Sequence, residues 1–320
     1  MLFRRTTETK VTPSWTSLST APRIGLAILM TLSLMGIQTA WGDKVWLEPM
    51  RPTAAQSNWY PQAIQMRVGE IISLDAKQIS IRLAGDEKES LFAAHRVIWI
   101  EPSQRSEKQT AAIELFDAQK YDESLRGLLD SLKERPPVWR QQWLSMLAAQ
   151  AAWRSARAAI ALELVAQLDR RPLPPLVLAW LPIAWRNDRG TSSGATTEAA
   201  QKRLADPAPA VRLVAASWLL STDQRDRAVQ TLKALRSDHA RPEIAKLADV
   251  VLWRTTLPPE VAEQASRWQE KLDALPMVLQ VGPTVLIVEQ LSNANQEAAA
   301  ESLKLSLELT PPHPHPELSR

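Results

Sequence analysis

The stretch Asp206-Pro-Ala-Pro-Ala-Val-Arg-Leu-Val-Ala-Ala-Ser-Trp-Leu219 decides the architecture, because it meets an echo of itself 33 residues further on. Val211, Val214, Ala215 and Leu219 align with Ile244, Leu247, Ala248 and Leu252. Intervals of three and four place each set on one face of a helix. Asp206 is suited to cap the first helix and Pro207 to fill its first turn. In the second copy Ala245 stands for Arg212, and His239-Ala-Arg-Pro242 replaces the proline-rich entry, so the repeat is partial. Downstream, Val261, Ala265, Trp268, Leu272 and Leu275 form one more apolar stripe. A single helix of this kind cannot bury its stripe, so the pattern predicts helices stacked on their chain neighbours.

On these residues, 206–253 resembles HEAT-type repeats. Upstream, Ala112, Tyr121, Ser124, Leu128, Ser131 and Pro136 fall as in a tetratricopeptide repeat, and 111–172 resembles that family. There, small residues let two antiparallel helices approach, a tyrosine packs at the turn and a proline ends the second helix. Lys108 occupies the position where that family carries a tryptophan. A second helical pair runs from Trp139 to Leu168 and stops before Pro172, 36 residues beyond Pro136 and near the repeat's period. The resemblances imply an α-helical repeat, or solenoid, domain over 111–310 whose concave surface takes a protein partner. Between the two repeat types, Arg186 to Thr197 reads as a polar loop that hinges or links.

Residues 43–102 follow a different period. Ile79-Ser-Ile-Arg-Leu83 alternates apolar and polar, Val97-Ile-Trp-Ile100 is a short apolar run, and turns fall at Asp75-Ala76 and Ala84-Gly-Asp86. Four or five short strands fit. Residues 64–101 resemble small SH3-like or Sm-like barrels, a likeness that implies a binding module. The polar stretch 103–110 reads as a linker, with Ser106 and Gln109 as a capping box for the next helix. The tail, 311–320, contains Pro311-Pro-His-Pro-His-Pro316, which cannot be helical and is expected to be disordered and solvated.

The N-terminal 42 residues look like an export signal. A basic stretch ending at Arg23 precedes the uncharged run Ile24 to Ile37, and Ala40-Trp-Gly42 offers small residues where a signal peptidase reads. Cleavage after Gly42 would release a periplasmic or extracellular chain beginning at Asp43. The competing reading is an uncleaved anchor over 24–40, with Arg4, Arg5 and Arg23 inside. This segment holds four of the 38 basic residues and one of the 35 acidic ones, so it accounts for the whole net charge of +3 and the rest is balanced. That balance excludes a protein-wide basic field for nucleic acid. With no cysteine there are no disulfides, thiolate zinc sites or thiol nucleophiles.

Chemistry-bearing patterns are few. Gly190-Thr-Ser192-Ser-Gly194 fits the hydrolase elbow Gly-x-Ser-x-Gly, but a charged run precedes it where an apolar strand is needed, so it reads as a small-residue linker. His95, His239, His313 and His315 show no metal-ligand spacing on one helix, and His313-Pro-His315 is at most a weak chelator in the tail. Asp117, Asp122 and Glu123 lie where helix ends are expected, as caps. Among thirteen tryptophans, Trp139, Trp143, Trp153, Trp218 and Trp268 sit at helical spacing beside Leu, Ala and Val, which predicts core; Trp46 and Trp59, near Tyr60, are the candidates for exposed contact. The sequence therefore predicts a mainly α, non-catalytic, exported protein-interaction scaffold. No catalytic, cofactor or metal residue and no nucleic acid partner is expected, and membrane attachment follows only if the signal stays uncleaved. The alternative is a carbohydrate-active enzyme or sugar-binding protein with a Trp-lined cleft.

Overall fold

The computed structural model describes residues 42–50, 63–103, 105–187, 193–309, 315, 317 and 318. The chain divides into units 1–38 and 39–320, and all described residues belong to the second. Residues 1–41 of the export segment, Trp59, Tyr60, Ser192 and His313 lie outside the described residues.

The chain is mainly helical with one small antiparallel sheet. Strands β1 (Asp43–Leu47), β2 (Gln65–Leu74), β3 (Gln78–Leu83), β4 (Glu89–Ala93) and β5 (Val97–Glu101) are ordered β4-β3-β2-β1-β5, and a 3₁₀ turn at Ala94–Arg96 connects the two outermost strands. The alternation read over Ile79–Leu83 arises because Ile79 and Ile81 face the core while Arg82 is exposed. Gly85 has φ +90° and closes the β3–β4 turn, a conformation that Gly adopts at no steric cost.

Twelve helices follow among the described residues: α1 (Glu107–Asp117), α2 (Tyr121–Lys133), α3 (Val138–Arg154), α4 (Ala158–Leu168), α5 (Pro175–Ala179), α6 (Gly194–Arg203), α7 (Pro209–Leu219), α8 (Arg225–Arg236), α9 (Pro242–Leu252), α10 (Pro258–Asp273), α11 (Met277–Asn293) and α12 (Glu297–Leu309). Chain neighbours pack on one another from α1 to α4, from α6 to α9 and from α10 to α12. Ser106 caps α1 by accepting the Gln109 amide at 3.3 Å, as its spacing predicts. Helices α1 and α2 touch through small residues: a Cβ on Gly127 would lie 2.8 Å from Ala112 Cβ, and Ser124 Oγ donates to Ala112 O at 2.8 Å.

The repeat of 33 residues is α7 and α9, each 11 residues long and each opening on a proline, Pro209 and Pro242. All four aligned pairs are buried. The expected cap is displaced. Pro209, not Pro207, fills the first turn, and Asp206 accepts from Ala208 N at 2.9 Å in a turn before the helix. The carboxylate at the N-terminus of α7 is instead Asp169, from the end of α4, which accepts from Ala210 N at 2.8 Å and is paired with Arg241.

Sheet and helices share one core, and the stretch 103–110 expected as a linker runs directly into α1. Trp99 of β5 stacks on Trp180 at 5.1 Å and meets Trp143 of α3 at 6.0 Å. Trp153 stacks on Trp218 at 4.0 Å and Trp253 on Trp268 at 5.2 Å. The tryptophans expected in the core are buried or, for Trp153, partly buried. Trp46 is half-buried in β1.

At the centre runs Trp180–Asn187, buried or half-buried without regular structure. Gln150 Nε2 donates to Trp180 O at 2.9 Å and Leu181 O at 3.2 Å, Trp218 Nε1 to Pro182 O at 2.6 Å, and Arg254 Nη1 to Ala184 O at 2.8 Å. Ala184 N donates to Ser217 Oγ at 3.0 Å and Asn187 N to the Glu289 carboxylate at 2.9 Å. The tail departs from expectation: His315 is 3% exposed, and Glu317 pairs with Arg154 and Arg186. Proline disfavours a helix there, but His315 to Leu318 form a turn, with Leu318 N donating to His315 O at 3.0 Å, that docks through its side chains.

Two substitutions test this packing. A Cβ on Gly282 of α11 would lie 2.2 Å from Trp185 Cε2, so Gly282→Ala should lower stability by about 1–3 kcal/mol in chemical denaturation. Ala156, which follows α3 at φ +59°, sits in the left-handed region; Ala156→Gly should raise stability by about 1 kcal/mol in the same measurement.

Candidate functional site

The β4 strand is an edge of the sheet, and its outer side faces a cleft. Ala94 N donates to Lys77 O at 2.8 Å, which fixes the phase of the β3–β4 ladder. With Ile79 opposite Phe92 and Ser80 opposite Leu91, alternation turns the N–H and C=O of Glu89, Leu91 and Ala93 away from β3. No strand pairs with that side among the described residues. Leu91 is 61% exposed and Met50, across the cleft mouth, 66%.

The cleft has a volume of about 730 Å³. Its walls are Leu91, Phe92 and Ala93 of β4, His95 and Arg96 of the 3₁₀ turn, Glu48 to Met50, and Glu243 and Lys246 of α9. A second cavity of about 470 Å³ lies between α8, α9 and α10, floored by Ala245, Val250, Ala274 and Leu275, and Lys246 and Ala274 line both.

Its ionic groups are placed by the elements that carry them. Asp249 of α9 bridges its neighbours, pairing with Lys271 of α10 at 2.6 Å and Arg236 of α8 at 3.6 Å. Lys246 pairs with Glu243 one turn earlier at 3.3 Å. Glu48 accepts from Met277 N at 3.2 Å, a carboxylate at the positive end of α11, while its carbonyl accepts from Arg96 Nε at 2.8 Å. The helical cavity is thus an apolar floor ringed by three cations and one shared carboxylate.

The pattern that an acid–base enzyme would need, two carboxylates beside an indole, occurs in a cleft of about 490 Å³ lined by Asp43, Glu70, Trp139 and Arg140. Asp43 is engaged otherwise. It accepts from Ile71 N at 3.1 Å, Ser103 N at 2.7 Å, Ser103 Oγ at 3.0 Å and Arg140 Nη2 at 3.3 Å. Burial pushes the Arg140 guanidinium below its usual pKa, and the Asp43 charge opposes that shift. Glu70 pairs outward with Arg82 at 2.8 Å. The constellation is a lock between β1, β2 and α3.

The remaining sequence candidates are dispersed. Ser193 caps α6, accepting from Thr196 N at 3.2 Å, and Gly194 opens that helix. His95 is exposed on the groove rim and His239 is exposed between α8 and α9. Asp122 lies in the first turn of α2, where a hydrogen bond from Arg157 and the charges of Arg157 and Arg126 hold its carboxyl below the ordinary value. The Asp117 carboxyl is raised, chiefly by partial burial, with Arg105 opposing. Among the described residues no group of three or more His, Asp or Glu is arranged to hold a metal ion, and no helix is long and apolar enough to cross a membrane. The groove itself was missed in the sequence, because it depends on which remote elements meet. No family model, curated protein or solved structure matches this chain.

Removing Asp43 tests the lock. Asp43→Ala removes the carboxylate that offsets the buried Arg140 charge and accepts from Ile71 N and Ser103 N, and equilibrium unfolding should show a loss of about 3–5 kcal/mol.

Proposed function

We propose that the chain is a non-catalytic, exported protein-interaction scaffold whose stacked helical repeats and strand module together bind an extended segment of a partner protein in the β4–α9 groove. The observation that carries the reading is the outward-facing N–H and C=O row of β4 on one wall of a groove that shares Lys246 and Ala274 with a neighbouring apolar helical cavity. An unpaired strand edge offers main-chain hydrogen bonds to any extended chain, and neighbouring pockets choose among side chains. The rim cations favour a segment carrying a carboxylate.

The packing of chain neighbours, with α7 and α9 alike in length, opening residue and buried positions, supports a solenoid reading of the helices. The strand order, with a 3₁₀ turn before the last strand, supports the SH3-like reading of 64–101. Export rests on the sequence of residues 1–42. The described tryptophans pack mainly against one another and the core, which weighs against an indole-lined sugar cleft.

A photoreactive amino acid in place of Leu91 should cross-link one protein reproducibly from the envelope fraction. Leu91→Asp, at a position too exposed to change stability by more than about 0.5 kcal/mol, should reduce recovery of that protein at least tenfold in a pull-down. Equal recovery with Leu91→Asp, or sugar hydrolysis by the purified chain, would reject the proposal.

A further inference from the structure

The sheet is antiparallel throughout with β4 at its edge, and the cleft beside β4 is placed unevenly along that edge. Of β4, Leu91, Phe92 and Ala93 line the cleft, with His95 and Arg96 beyond them; Glu89 and Ser90, at the other end, are outside its lining. The α9 wall therefore stands beside the C-terminal half of β4 and the turn that follows. At that end the edge closes, because Glu48 N donates to Arg96 O at 2.7 Å and Arg96 Nε to Glu48 O at 2.8 Å. A chain laid along β4 in that direction meets Lys246 and Ala274, which also line the cavity between α8, α9 and α10.

That cavity is selective where a strand edge is not. Its floor of Ala245, Val250, Ala274 and Leu275 suits an aliphatic side chain. Three cations, Arg236, Lys246 and Lys271, line it against one carboxylate, Asp249. Asp249 is divided between Lys271 at 2.6 Å and Arg236 at 3.6 Å, and both cationic side chains are at least half exposed. A second carboxylate arriving there is shared between the same donors and balances the local charge.

We infer that a partner segment bound at β4 is read in one direction: it pairs antiparallel to β4, and an acidic residue beside an aliphatic one, preceding its paired stretch, enters the α8–α10 cavity. The inference rests on the β4 reading given above and adds to it the order of the motif. Antiparallel pairing lets Leu91 exchange both its N–H and its C=O with one residue of the incoming strand, and it is the more stable ladder. The C-terminal end of β4 then faces the N-terminal end of the partner strand, so what enters the cavity is the residues before the strand. A segment of reversed order either brings its carboxylate to the Glu89 end, beside a like charge, or pairs parallel and loses that exchange. Main-chain bonds hold any strand, and the anchor decides which strand is kept and which way it runs.

The test is fluorescence anisotropy on the full-length chain with two labelled peptides of one composition and blocked termini. One reads Glu-Leu-Gly-Ser-Gly-Val-Thr-Val-Thr-Val, and the other is its reverse; the Gly-Ser-Gly spacer reaches about 10 Å. The forward peptide should bind at least tenfold more tightly. The double variant Arg236→Ala, Lys271→Ala should remove that advantage and leave the reverse peptide unchanged, whereas Leu91→Asp should weaken both peptides at least tenfold. Equal binding of the two peptides, or preference for the reverse, overturns the inference, and the β4 reading survives as long as Leu91→Asp still weakens both. A forward preference that persists in the double variant removes the cavity as its source and likewise overturns the inference. If neither peptide binds, or Leu91→Asp changes nothing, the β4 reading fails and the inference fails with it. Should the double variant not unfold cooperatively, Lys271→Gln alone replaces it and is required to cut the forward advantage at least threefold.

Discussion

Trp180–Asn187 crosses the middle of the molecule as irregular chain, and that is the constraint around which the rest is arranged. Backbone groups taken from water without partners cost about 1–3 kcal/mol each, so such a segment survives only if the surrounding elements supply hydrogen bonds. They do so one side chain at a time: Gln150 from α3, Ser217 and Trp218 from α7, Arg254 from the turn after α9, and Glu289 from α11. The donors and acceptors come from four elements, so satisfying one stretch of backbone ties the three groups of helices to one another. Arg254 reaches Ser217 O at 2.7 Å and Asn187 Oδ1 at 2.9 Å as well, so one guanidinium ties the segment to α7. A network satisfied in this way rigidifies its surroundings, and losing any member leaves the others exposed to the same penalty.

From that rigidity follows where binding is possible. The core consumes the indoles and the central polar groups, so the described surface that remains available consists of strand edge, helix valleys and the ionic rims between them. Buried pairs such as Asp43–Arg140 and Asp169–Arg241 contribute position more than stability, because desolvation offsets most of their attraction. Asp169 illustrates the point: one carboxylate fixes the end of α4, the start of α7 and the start of α9 relative to one another. The groove beside α9 inherits its shape from that fixed arrangement.

The helices were legible where hydrophobic spacing carries the signal. Residues Val211 to Leu219 and Ile244 to Leu252 had to face inward, whatever their neighbours, because no other arrangement buries both stripes. Helix ends were less legible. Gln119, Arg135, Ala156 and Asn295 end helices with φ between 53° and 60°, a conformation associated with glycine, and only Asn295 belongs to a residue type that favours it. Packing of the flanking helices overrides local preference there. The start of α7 slipped by two residues for a related reason: Asp206 prefers the turn with Ala208, and the helix takes its carboxylate from Asp169, 41 residues away in sequence. Neither the groove nor the docking of the tail was legible, since both depend on which remote elements meet. His315 and Glu317 read as solvated until Trp180, Arg154 and Arg186 are seen to converge on them.

The proposed groove divides binding between backbone and side chains. At β4 most of the affinity would come from main-chain hydrogen bonds, which any extended segment can make, so selection must come from the neighbouring pocket with Lys246, Lys271 and Arg236 around its apolar floor. An exposed strand edge is also a hazard, because it accepts strands without discrimination. Glu89 at one end of β4 and Arg96 beyond the other place charge on both sides of the short apolar run Leu91-Phe92-Ala93. Flanking charges of this kind disfavour indiscriminate pairing, and under the proposed function they would favour segments that bring compensating charge.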